Sequence, residues 1–207
     1  MARPLRVEYP GAIYHVMSRG NARQRIFLDD ADYQSGKKGC GEFGFEIFSY
    51  VCLPNHSHLF LRTPLPNLCR GMQYFLSGYA NWFAKRHQSP GHLFQGRYKG
   101  ELLEDEQYFW TVSRYVHLNP VREKRPLVER PQDWRWSSYP GYHSHKKRVD
   151  WVAYQSVYDA WQGELGGSDP AAAYRRFVTP SVSDPPINPF QDAADGWLPG
   201  KFQQPSP

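Results

Sequence analysis

The chain has 207 residues, and its 14 Tyr, 12 Phe and 7 Trp exclude wholesale disorder. Its net charge of +5 is uneven: residues 1–148 carry 22 basic and 13 acidic side chains, a net +9, and residues 149–207 carry 3 and 7. Three cysteines with no C-x-x-C pair exclude a disulfide framework, and no apolar run has the length of a membrane span, so a reduced, cytoplasmic protein without membrane attachment is expected.

A basic lead-in with Arg3 and Arg6 precedes Ala12–Arg19, which reads as a buried strand stopped by Gly20-Asn21. Arg19, Arg23 and Arg25 cluster around that turn, where they suit phosphate contacts or a solvated loop equally. Asp29 to Gln34 has the acidic start of a helix, but the glycines of Ser35–Gly41 leave it no apolar stripe to extend along. Phe43 to Cys52 reads as a second strand, with Phe45, Ile47, Ser49 and Val51 on one face and Glu46, Phe48 and Tyr50 on the other. A turn at Pro54-Asn55 leads into a third strand, so these two form a hairpin. In that third strand His56 and His58 share a face. Two neutral imidazoles there can hold a divalent metal, or can be two unrelated histidines; the metal reading needs a third ligand.

Asn67 can cap the next helix, whose stripe of Leu68, Met72, Phe75, Leu76, Tyr79 and Phe83 runs up to His87. His92 to Leu103 reads as a fourth strand bent near Gly96, with Arg97 and Lys99 on one face, toward nucleic acid or solvent. Asp105-Glu106 begins a further helix, lined by Tyr108, Val112, Tyr115 and Val116 and stopped at Asn119-Pro120. Strand–helix–strand–strand–helix–strand predicts an α+β fold: a ferredoxin-like four-stranded antiparallel sheet with helices on one face. Arg122 to Arg125 is a basic connector. The aromatic segment Trp134–Tyr139 is expected to pack back on the body, and His143 and His145 to be solvated. Trp151–Trp161 and Ala171–Val178 are helix-like, and the prolines after Thr179 predict an irregular tail. The chain thus divides into a core of residues 1–145 and a C-terminal extension of residues 146–207, helical and then irregular.

Tyr115 and Asn119 are four apart on one helix and share a face. If that helix crosses the sheet near the H-x-H strand, Asn119 can supply a third, oxygen ligand and Tyr115 a nucleophile. The plainer readings are a core tyrosine and a helix-ending asparagine.

Tyr9 to Val16, Arg19-Gly20-Asn21, Pro54 to Leu59, Gly91 to Lys99 and Arg114 to Arg122 together resemble the REP-associated tyrosine transposases. These are single-tyrosine HUH endonucleases related to small insertion-sequence transposases, and the resemblance covers roughly residues 3–145. It implies a bacterial cytoplasmic enzyme, nucleoid-associated when bound, that nicks and rejoins single-stranded DNA at hairpin-forming palindromes, as monomer or homodimer. The metal ligands it implies are His56, His58 and Asn119, and the nucleophile Tyr115, which would form a 5′-phosphotyrosine with Mg²⁺ or Mn²⁺ and no nucleotide cofactor. Arg3, Arg6, Arg19, Arg23, Arg25, Arg97, Lys99 and Arg122 are the expected DNA contacts. Two departures stand out. Ser57 replaces a bulky apolar residue between the histidines, a packing loss on the order of 1–3 kcal/mol if buried. Relatives also carry a longer amphipathic helix where this chain has Ser35–Gly41. The rival reading is a catalytically decayed or non-catalytic protein that binds hairpin or single-stranded nucleic acid; a structural zinc protein is a weaker third.

Overall fold

Alternating apolar residues build four strands in the computed structural model, which describes residues 7–36, 43–104, 108–160 and 169–179. They are β1 (Ala12–Arg19), β2 (Glu46–Leu53), β3 (His56–Thr63) and β4 (Lys99–Leu102), antiparallel in the order β2-β3-β1-β4. Between them lie α1 (Asp30–Ser35) and α2 (Leu68–His87). This is the expected ferredoxin-like arrangement.

The first helix is as short as its sequence predicts. Asp29 accepts from the backbone N–H groups of Ala31 and Asp32, and Asp32 accepts from that of Asp29, a reciprocal cap on six residues. Residues 37–42, most of the segment that departs from relatives, lie outside the described residues, as do Arg3, Arg6, Asp105, Glu106, Trp161 and the tail from residue 180. The short helix is held to α2 by charge and by rings. Arg86 donates to Asp29 and to the buried Asp32, and Phe27 meets both Tyr33 and Tyr79. Both helices therefore cover one face of the sheet. On that face Ser57 lines a small, partly open apolar hollow of about 20 Å³ with Leu59, Tyr50, Phe75 and Tyr79. The small side chain does point away from the histidine face, and the space beside it is unfilled.

Two strands differ from expectation. Ile47 pairs with Leu61 but Ser49 pairs with Phe60, so a bulge at Phe48 breaks the alternation and the expected faces of this strand do not persist along it. Beyond the bulge Ser49, Val51 and Leu53 face the same side as Phe60, His58 and His56. The fourth strand is only four residues long. Residues 93–95 bond instead to the turn after β1, through Asn21 N to Leu93 O (2.9 Å) and Gln95 N to Arg19 O (2.9 Å). Arg97 thus sits in a bend and shares no strand face with Lys99, though both are exposed.

The helices do not all share one face: the opposite side of the sheet is covered by α3 (Phe109–Arg122), where Phe109 packs between Phe48 and Phe60 and Val112, Val116 and Leu118 are buried. Pro120 does not stop this helix. In the last turn its missing N–H costs only one bond, to the Val116 carbonyl, and the carbonyls of Asn119 and Pro120 accept from Glu123 N and Leu127 N.

The aromatic segment packs back as expected. Trp136 O accepts from Cys52 N, Val51 and Ser137 form a bridge along the outer edge of β2, and Trp136 stacks on Tyr33 at 4.6 Å. Three further helices follow, α4 (Tyr139–His143), α5 (Tyr154–Asp159) and α6 (Pro170–Val178). Buried Tyr174 of α6 lies against α3, its hydroxyl 2.6 Å from Ser113 Oγ and 2.8 Å from His117 Nδ1. His143 and His145 are exposed. Among the described residues no helix is long and apolar enough to cross a membrane.

Candidate metal and tyrosine site

The strand registers decide which side chains meet. Arg19 of β1 lies opposite His56, and Met17 opposite His58, while His15 lies opposite Phe60 on β3 and Glu101 on β4. Residues opposite one another share a face. His15, Arg19, His56 and His58 therefore all face α3. The ring centroids of His56 and His58 are 5.1 Å apart, and Tyr115 stands edge-on to His58 at 5.6 Å and to His15 at 5.8 Å. Asn119, one turn after Tyr115, donates through its amide to the Tyr115 carbonyl at 2.8 Å. Tyr115 thus lies against His58 with His56 beside it, and Asn119 stands one turn further along the same helix.

Both imidazoles are held neutral. Burial and the charge of Arg19 push His56 down to about 4. Burial, with His15, His56 and Arg19 adding to it, pushes His58 well below its ordinary value. Neutral imidazoles are what metal ligation requires. The Tyr115 phenol is raised, chiefly by burial and then by Glu101, while a hydrogen bond with Asn119 and the charge of Arg19 pull the other way.

Two observations fit a cation at this place. His58 Nε2 is buried with no hydrogen-bond partner, which a native structure tolerates only for a reason. His56 Nδ1 lies 2.6 Å from Asn55 Oδ1, and Asn55 turns its amide nitrogen to Arg23 O at 3.4 Å. That orientation puts the His56 proton on Nδ1, so its Nε2 lone pair faces Glu123 Oε1 at 3.7 Å. Two acceptors facing each other are satisfied by a cation between them. Among the described residues no set of three His, Cys, Asp or Glu side chains is placed to hold a metal ion; Glu123 approaches His56 alone, and the Asn119 amide oxygen is the candidate third ligand on α3.

The basic residues divide. Arg19 is half-buried within the site, and its Nε is buried without a partner. Arg23 and Arg25 are exposed on the loop that follows it. That loop is tied to the hairpin turn, since Ile26 N and Phe27 N both donate to Pro54 O. Ala22 and Arg23 have φ of 48° and 60°, the left-handed region. Gly20 permits the tight approach, because a Cβ there would run into the Gln24 carbonyl oxygen. Arg122 ends α3 beside Glu123, while Arg97 and Lys99 lie apart on the β4 approach. Sequence reasoning missed His15, Glu101 and Glu123. Glu123 continues the four-residue spacing of Tyr115 and Asn119 and was legible; His15 and Glu101 become neighbours only through strand register.

A family model described as transposase IS200 like matches residues 8–119. A protein of Haemophilus influenzae named "Putative REP-associated tyrosine transposase" is 24% identical over 144 residues, 62% of this chain and 80% of its own. The solved structure of a REP-associated tyrosine transposase bound to a REP hairpin aligns with a TM-score of 0.58 at 16% identity, covering 82% of this chain and 96% of its own. That alignment is a likeness of fold.

Proposed function

This chain belongs to the IS200-like transposase family, and from that premise we propose that it cuts and rejoins single-stranded DNA at hairpin-forming elements through Tyr115. The placing of Tyr115 against His58, with His56 beside it and Asn119 one turn along the same helix, carries this reading. His56 and His58 would hold Mg²⁺ or Mn²⁺ through Nε2, and Asn119 through its amide oxygen. When bound, that ion polarises the scissile phosphodiester and stabilises the charge that builds on it. Tyr115 Oη attacks the phosphorus and loses its proton as the P–O3′ bond breaks. The departing O3′ takes up a proton, leaving a 3′-OH strand and a 5′-phosphotyrosine. Attack of a 3′-OH on that phosphotyrosine reverses the step, so rejoining needs no nucleotide cofactor. Arg19, the guanidinium within the site, orients the phosphate, while Arg23, Arg25, Arg97, Lys99 and Arg122 contact the backbone. The protein acts in the bacterial cytoplasm as monomer or homodimer, with DNA as its partner.

A hairpin oligonucleotide with a labelled single-stranded flank tests this. In Mg²⁺ or Mn²⁺ it should yield a denaturation-resistant adduct that peptide mass spectrometry maps to Tyr115. Tyr115→Phe should keep hairpin affinity and form no adduct; an adduct that persists in this variant, or maps to Tyr108, refutes the assignment. The raised phenol favours the second reading, a hairpin-binding protein that does not cut. Tight binding with no adduct in the unaltered protein would select it.

A further inference from the structure

We propose that His15 and Glu101 are positioning residues that fix the proton of His58 on Nδ1 and so present its Nε2 to the metal. The inference rests on the metal reading above.

His15 Nε2 lies 2.9 Å from His58 Nδ1, and His15 Nδ1 lies 3.4 Å from Glu101 Oε2. The two imidazole planes are within 12° of parallel, with centroids 5.1 Å apart. Centroids that far apart with nitrogens so close mean that the bond runs edge to edge in the ring plane. A carboxylate can only accept, so a His15 ring with a single proton carries it on Nδ1, facing Glu101. Its Nε2 is then a lone pair. The proton in the 2.9 Å contact must come from His58 Nδ1. His58 Nε2 is left as a lone pair, and this is the buried nitrogen without a partner.

The opposite order fails at both ends. With the His15 proton on Nε2, a bare Nδ1 would face the carboxylate, and His58 would carry its own proton on Nε2, in the place a metal needs. The anion at the end of the chain therefore selects the tautomer two rings away, as carboxylates beside metal-binding histidines do. His56 is treated alike by a different group, since Asn55 Oδ1 takes its Nδ1 proton. Strand register makes the relay possible: His15 and Glu101 are direct partners across β1 and β4, and His58 is diagonal to His15 across β1 and β3.

Long-range ¹H–¹⁵N spectra of the metal-free protein report which nitrogen of each imidazole is protonated. His58 should carry its proton on Nδ1 in the unaltered protein and in Glu101→Gln, whose amide oxygen can still accept. Glu101→Ala should populate the Nε2-protonated form. Mn²⁺ affinity, followed by electron paramagnetic resonance without DNA, should fall about 10- to 100-fold in Glu101→Ala and recover in Glu101→Gln. A merely structural Glu101 would move neither the tautomer nor its rescue. His58 protonated on Nε2 in the unaltered protein, or Mn²⁺ affinity unchanged in Glu101→Ala, overturns the proposal. An unaltered protein with the Nδ1 tautomer that binds no Mn²⁺ overturns the metal reading instead, and the relay's purpose with it.

Discussion

His58 is the most constrained residue of the site: fully enclosed, neutral, tied at Nδ1 and unpartnered at Nε2. His58→Ala or His56→Ala should abolish cleavage yet leave hairpin affinity within a few fold, because phosphate contacts elsewhere supply most binding. Asn119→Ala should be milder, since water can occupy a vacated oxygen position. Cleavage assays paired with hairpin binding curves check both, and full cleavage by His56→Ala would remove the metal assignment. Tyr115 shows why a residue alone is a weak signal. Its neighbours Val112 and Val116 are wholly buried, so spacing equally described a core tyrosine; only the facing histidine rings distinguish it.

At the scale of elements, the loop from Gly20 to Arg25 joins the two halves of the site. It carries Arg23 and Arg25 past the hairpin turn that introduces His56, with two consecutive non-glycine residues in the left-handed region. Such backbone costs on the order of 1 kcal/mol per residue and concentrates at functional loops. Ala22→Gly should therefore raise stability by about 0.5–1 kcal/mol in urea denaturation; a loss of stability would mean that the backbone is not strained there. Replacing Arg19, Arg23 and Arg25 together should lower the salt slope of hairpin binding by roughly 2, from about 0.7 per phosphate contact on a single strand. An unchanged slope would exclude this loop from the interface.

For the whole molecule, the packing of residues beyond 146 onto α3 sets an acid limit. His117 sits enclosed between Tyr174 and Ser138, and burial holds it down at about 3. An unfolded histidine takes its proton near pH ~6.5, so the unfolded chain binds protons first. The stabilisation is complete above that pH and is lost as pH falls toward 3, where folded His117 titrates. Each such histidine contributes about 1.4 kcal/mol per pH unit within that window. Urea midpoints from pH 7 to 4 should thus fall steeply, and His117→Gln, less stable at pH 7, should show a flatter slope. Equal slopes would mean that His117 is accessible to protons in the folded state.

Much of this was written in one dimension. The period-2 run through His56 and His58, the apolar stripe from Leu68 to Phe83 and the four-residue step from Tyr115 to Asn119 are local regularities, and their spacing by itself yields a βαββαβ sheet carrying two same-face histidines. Local spacing cannot supply what depends on contacts between distant segments. The bulge at Phe48 reflects the packing of that ring against Phe60 and Phe109. The helix runs through Pro120 because only its last turn is affected, with Leu127 supplying a donor to the Pro120 carbonyl. The neighbours of His58 were hidden for the same reason: His15 is 43 residues away and Glu101 is 86 from His15, and only the antiparallel registers of β3, β1 and β4 bring the three into one line of hydrogen bonds.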